Sequence, residues 1–153
     1  MKLRLAHYLM LCACMFLMLH CRTKHDAKSS LPMNVQTHRC MLATDSLFYP
    51  NSDVLNEANE ADLNEKLRHI KAQVPFRVLI VGYTDSLGSA NYNQLLSRKR
   101  AQRIYEHALQ QGLDSTSLYY EGKGISNPIA DNTTDIGRKK NRRIEILFDV
   151  QTL

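Results

Sequence analysis

The sequence predicts an α+β fold: a mixed sheet with two helices packed on one face, in the order β-α-β-α-β-β. Three observations predict it. Leu63, Leu67, Ile70 and Val74 recur at i, i+4, i+7 and i+11 and make one apolar helical stripe. Phe76-Arg77-Val78-Leu79-Ile80-Val81 is β-rich and nearly continuous in apolar residues, as a strand buried on both faces requires. Arg143–Val150 alternates, with Ile144, Ile146, Phe148 and Val150 on one side. A chain of 153 residues, 44% hydrophobic and 23% charged, can fill one such core and excludes wholesale disorder. A transmembrane β-barrel is excluded as well, because it needs at least eight alternating strands of roughly ten residues.

Along the chain, Met1–Arg4 is basic and Leu5–Leu19 carries no charge with His neutral. That apolar run is shorter than the roughly twenty residues a membrane-spanning helix requires. It has no polar face, as a core helix would, and reads as a signal peptide over residues 1–20. Cys21 stands where the apolar run gives way to a polar one, Arg22–Ser30. This junction resembles a bacterial lipoprotein signal, in which the cysteine becomes the acylated first residue. Cys14, in Leu11-Cys12-Ala13-Cys14, is the alternative acylation site. Residues 21–40 are then a lipid-anchored polar tether, and residues 22–40 reach about 60 Å when extended. Residues 41–153 form the folded domain.

Within the domain, Met41–Tyr49 reads as a first strand, closed by the turn Pro50-Asn51-Ser52. Asn51 or Ser52 caps the first helix. Its acids Glu57, Glu60, Asp62 and Glu65 precede its bases Lys66, Arg68 and Lys71, in accord with the helix macrodipole, and Pro75 stops it. After the buried strand and a loop with Gly82, Asp85 and Gly88, a second helix runs from about Tyr92 to Gln111 and ends at Gly112. Leu118–Gly124 is a third strand, Ile125–Asn141 a long polar loop, and Arg143–Val150 the closing strand.

Charge and cysteines narrow the function. The formal net charge is +5, but residues 1–30 hold five bases against one acid. The remaining 123 residues hold 15 bases against 14 acids, so nucleic acid is not an expected partner. Cys12, Cys14 and Cys21 fall in the leader and leave Cys40 alone, which precludes a disulfide framework. His38-Arg39-Cys40 has no second cluster to complete a metal site. No nucleophile–base pair is spaced for catalysis, and His69 and His107 lie on separate helices. The expectation is no enzyme, no cofactor and no metal.

The informative segment is Gly82-Tyr83-Thr84-Asp85-Ser86-Leu87-Gly88, continued by Asn93, Leu96, Ser97, Arg100 and Ala101. A buried strand ends at a glycine, an acid follows at its carboxyl end, and a helix start brings Asn93, Ser97 and Arg100 onto one face. Strand ends facing a helix N-terminus are common ligand sites in α/β architectures. Asp85 and Arg100 across such a loop would grip a dipolar group, the ammonium on Asp85 and the carboxylate on Arg100. Ordinary turn chemistry explains Asp85 equally well, and a solvated helix face explains Arg98-Lys99-Arg100. Periodicity does not choose between these readings.

The stretch from Gly82 to Ala101, with Gly122-Lys123-Gly124, Pro128–Asn132, Gly137-Arg138 and Asn141–Glu145 after it, resembles the OmpA C-terminal-like family, which includes the peptidoglycan-associated lipoproteins. Phe48-Tyr49-Pro50 through Leu55 is similar to the family's entry into its first helix, and Tyr83 stands where the family more often has His. The resemblance covers roughly residues 41–150. It implies non-covalent binding of peptidoglycan through the diaminopimelate of its peptide stem, held by Asp85 and Arg100. It further implies that Asn93, Thr84, Ser97 and Leu96 complete the pocket, that Arg142 and Arg143 line it or brace its loop, and that Asn141 is structural.

With the leader, this implies a lipoprotein of the cell outer membrane. Its domain would face the periplasm and tether membrane to wall, with envelope proteins as further partners. The alternative is a wall-docking module of a larger or motor-like assembly. A motor stator also needs a membrane helix bearing an acid, and Leu5–Leu19 has no Asp or Glu.

Overall fold

The computed structural model describes residues 34–152, and the leader cysteines lie outside them. Four strands form one mixed sheet: β1 (Asn34–Ala43), β2 (Arg77–Tyr83), β3 (Leu118–Gly124) and β4 (Arg143–Thr152). Their spatial order is β1-β4-β2-β3. β2 and β3 run parallel, while β4 is antiparallel to both β1 and β2. The helices are α1 (Thr44–Leu47), α2 (Glu60–Ala72), α3 (Ala90–Gln110) and α4 (Asp135–Asn141). No helix among the described residues is long and apolar enough to cross a membrane.

One hydrophobic cluster holds the fold together. Leu63, Leu67 and Ile70 of α2 and Ala101, Ile104 and Ala108 of α3 pack on Val78, Ile80, Ile144, Ile146 and Phe148 of the sheet. The expected mixed sheet with both long helices on one face is thus present. β2 is nearly continuous in apolar residues and lies between β4 and β3, with Val78 and Ile80–Tyr83 buried and Leu79 half-buried. α3 lies unusually close to the sheet. A Cβ on Gly82 would sit 2.1 Å from the Ser97 carbonyl oxygen, and one on Gly122 2.4 Å from the Arg98 nitrogen. The helix ends where Gly112 adopts φ 79, Gly112 N–H donating to Leu109 and Leu113 N–H to Ala108, a Schellman closure that also buries Leu113.

Four expectations are corrected. The first strand is Asn34–Ala43, not Met41–Tyr49, so residues 34–40, expected in the tether, belong to the sheet. β1 is an edge strand mostly exposed to solvent, and it owes its form to pairing with β4 from Asn34↔Thr152 to Ala43↔Arg143. The first long helix begins at Glu60, not at Asn51 or Ser52, after a 3-10 turn (Glu57–Asn59) that Asn56 caps by accepting Ala58 N–H at 3.1 Å. Ile125–Asn141 is not all loop: Thr134 accepts Gly137 N–H at 3.0 Å and starts α4.

The fourth correction is Val74, which leaves the helical stripe. The helix ends at Ala72, and Val74 adopts φ 50 while 82% exposed. A β-branched residue is strained in the left-handed region, and proline at 75 bars helical continuation. Val74→Asn should therefore raise stability by about 0.5–1 kcal/mol, read as a higher urea midpoint with an unchanged slope; an unchanged or lower midpoint would refute the strain.

Candidate functional site

β2 delivers Thr84 and Asp85 at its carboxyl end, where the register with β3 slips between Gly82 and Tyr83. The bulge lets Thr84 N–H donate to the Gly124 carbonyl at 2.8 Å. Asp85 Oδ1 accepts Leu87 N–H at 3.0 Å, and Asn93 Nδ2 on α3 donates to the Leu87 carbonyl at 2.7 Å. The loop is thereby stapled to the first turns of α3, whose N-terminus Ser89 caps. Asp85 is only 6% exposed. It thus takes part in the expected turn chemistry and also faces a cavity.

That cavity, of about 450 Å³, is walled by Asp85, Thr84 and Leu87 on one side and Asn93, Leu96 and Arg100 on another. α1 and the following turn contribute Thr44, Asp45, Phe48, Tyr49, Pro50 and Asn51, and Arg142 closes it. Of the residues expected from the sequence, Asp85, Arg100, Asn93, Thr84, Leu96 and Arg142 meet here. Two do not. Ser97 is fully buried between helix and sheet, where its hydroxyl accepts Gly124 N–H at 2.9 Å. Arg143 lies on the sheet face opposite α2 and α3, pairing with Glu145 at 2.7 Å and stacking 3.7 Å over the Tyr83 ring. Ser97 is a correction to the expected site; Arg143 does not line the cavity but donates to the Asn127 carbonyl at 3.1 Å, as in the loop-bracing alternative.

The electrostatics of the wall are balanced. Arg142 Nε and Nη2 donate to both oxygens of Asp45, at 2.7 and 2.6 Å, and its Nη1 donates to Asp85 Oδ2 at 2.6 Å. These hydrogen bonds hold the Asp45 carboxyl below the usual carboxylate range and strengthen the hold of Arg142 on its proton. Arg100 is 6% exposed; its Nε donates to the Ser52 carbonyl at 2.9 Å, and its guanidinium lies 5.4 Å from the Phe48 ring centre. Burial lowers its proton affinity, but a guanidinium starting so high remains charged. Two carboxylates and two guanidiniums thus share one partly apolar cavity, and their charges cancel. Among the described residues, Thr84 Oγ1 is the buried side-chain polar atom that lacks a partner, and Thr84 lies on this wall.

Asp45 is the residue that sequence reasoning missed. It falls in a stretch read as strand, and only the turn of α1 carries its side chain to Arg142. Nothing in its local sequence distinguishes it from a surface acid.

The chain is similar to known envelope proteins. Outer membrane protein A of Bordetella avium is 36% identical over 104 residues, which cover 63% of this chain and 54% of that protein. The outer-membrane lipoprotein YfiB of Pseudomonas aeruginosa is 34% identical over 105 residues, 69% of this chain and 62% of that protein. The chain thus spans less than two thirds of the length of either relative. The periplasmic domain of MotB from Helicobacter pylori superimposes with a TM-score of 0.64 at 28% identity, covering 77% of this chain and 85% of that one. Residues 47–142 match the OmpA family along a stretch that runs from α1 through the cavity's acid loop and long helix to Arg142, and over that span the chain belongs to it.

Proposed function

We propose that this domain binds peptidoglycan non-covalently, and that the cavity between α1, the Asp85 loop and α3 receives the dipolar free end of diaminopimelate in the peptide stem. Asp85 takes the ammonium and Arg100 the carboxylate. Thr84 and Asn93 supply hydrogen bonds, and Leu96 packs against the aliphatic chain. The observation that carries this reading is that two carboxylates and two guanidiniums meet in one cavity with no net charge, beside a buried hydroxyl that has no protein partner. Such a site favours a neutral dipolar group over a simple cation or anion. Membership of the OmpA family and relatives named as outer membrane proteins support the same reading.

The role is structural, without turnover. With an acyl group on Cys21, or on Cys14 in the alternative, the chain tethers the outer membrane to the wall from the periplasmic side. Because β1 already begins at Asn34, the stretch between Cys21 and the sheet reaches at most about 40 Å, shorter than the expected tether. The likeness to the MotB domain supports a second reading, a wall-docking module of a larger assembly. Loss of fatty-acid labelling in Cys21→Ser would favour the tether, whereas an unlabelled wild type would favour the second reading.

The pocket is tested by co-sedimentation with purified sacculi. Removing one member of a desolvated charge pair costs about 2–5 kcal/mol, so Asp85→Ala and Arg100→Ala should each weaken binding at least roughly thirtyfold. Free diaminopimelate should compete with the wild type, and circular dichroism should show both variants folded. Undiminished pelleting of both variants would overturn the assignment.

A further inference from the structure

Asp85 is not waiting empty-handed for a ligand. Its Oδ2 accepts Arg142 Nη1 at 2.6 Å, while Arg142 is gripped through two hydrogen bonds, at 2.7 and 2.6 Å, by Asp45. The guanidinium is divided between two carboxylates, with a full fork on Asp45 and one arm on Asp85. An incoming cation therefore competes at Asp85 with a single hydrogen bond rather than with a bidentate pair. After that arm is displaced, Arg142 remains neutralised by Asp45, so no partly buried guanidinium is left unpaired.

We propose that Asp45 is a positioning residue for ligand binding: it draws the Arg142 guanidinium away from Asp85, so that the ammonium of a dipolar ligand gains Asp85 by displacing Arg142 Nη1 alone. This inference rests on the reading of the cavity as a site for the dipolar end of the peptide stem. Arg142 is then an internal competitor rather than a ligand holder. The share of molecules with Asp85 open scales the apparent affinity. Asp45 raises that share, although it need not touch the ligand.

Three variants test this against purified sacculi, with meso-diaminopimelate as soluble competitor. Asp45→Asn should weaken binding about tenfold, because Arg142 then closes on Asp85 as a fork. Arg142→Met should tighten binding several-fold, and the double variant should match Arg142→Met, since Asp45 then has nothing left to hold. Loss of binding in Arg142→Met as complete as in Asp85→Ala would overturn the proposal by making Arg142 a ligand contact. Equal weakening by Asp45→Asn in both backgrounds would overturn it by making Asp45 one. A crystal structure of ligand-free Asp45→Asn tests the same coupling without any binding measurement. Arg142 forked onto Asp85 supports the proposal, and Arg142 still held at the substituted side chain or turned to solvent refutes it. Should the wild type fail to pellet, the wall-binding reading falls, and this crystal structure alone decides how Asp45 and Arg142 are coupled.

Discussion

Glu145→Ala should cost about 3–5 kcal/mol of folding stability, because it strands a buried guanidinium. Arg143 and Glu145 stand two residues apart on one face of β4, each side chain 5% exposed, joined at 2.7 Å. Arg143 also donates to the Asn127 carbonyl at 3.1 Å and covers the Tyr83 ring. Arg39 of β1 reaches the other Glu145 oxygen at 3.6 Å but is 60% exposed, so it contributes little. Without Glu145, Arg143 keeps its desolvation penalty and loses its counter-charge. Urea unfolding reads the loss. The double variant Arg143→Met with Glu145→Leu should recover most of it, since replacing both partners of a buried pair is often neutral. Held below its unfolding transition, Glu145→Ala should still pellet with sacculi, because neither residue touches the cavity. A cost below about 1 kcal/mol would mean that water reaches the pair and that its burial is not structural.

The sheet was legible wherever apolar residues repeat with one period. Leu63, Leu67 and Ile70 mark the face α2 buries, Val78 and Ile80 mark β2, and Ile144, Ile146 and Phe148 mark β4. Leu118–Gly124 was readable to the residue, because Gly112 and the Asp114 turn before it and a glycine at its end delimit it. β1 was illegible for a physical reason. As an edge strand it buries only Leu42 and half-buries His38 and Cys40, so its apolar signal is too sparse to outweigh its polar residues. Val74 fitted the helical stripe by spacing alone. Chain geometry ahead of Pro75 overrode the spacing and put the side chain in solvent.

The candidate site was legible in part, and on its strand–loop–helix side. Asp85, Asn93 and Arg100 lie within one stretch of sequence whose strand end and helix spacing bring them to one loop, whereas Thr84 and Leu96 were legible only through the resemblance to the family. Asp45 and Arg142 are 97 residues apart and meet only because β1 pairs with β4 in register, setting Ala43 opposite Arg143. A contact made by long-range register leaves no local periodicity to read. Ser97 shows the converse. It shares the helix face of Asn93 and Arg100, yet α3 approaches the sheet so closely at Gly122 that the hydroxyl is enclosed and bonds Gly124 instead.

Asn141→Ala should lower stability by about 3–4 kcal/mol and also weaken sacculus binding. Asn141 is fully buried at the end of α4. Its Oδ1 accepts Ile129 and Ala130 N–H at 2.8 and 3.0 Å; its Nδ2 donates to the Ala130 carbonyl and Asn132 Oδ1 at 2.8 and 2.9 Å. Alanine would leave two backbone donors and one carbonyl without partners. The disturbance has a short path to the cavity. Asn132 Oδ1, which Asn141 holds, also accepts Ser86 N–H at 3.2 Å, beside Asp85. Hydrogen exchange should show Ile129 and Ala130 losing protection first. If those amides stay protected, the 129–132 segment is held by something other than Asn141. If they open while binding is unchanged, the Asp85 loop does not depend on that segment for its placement.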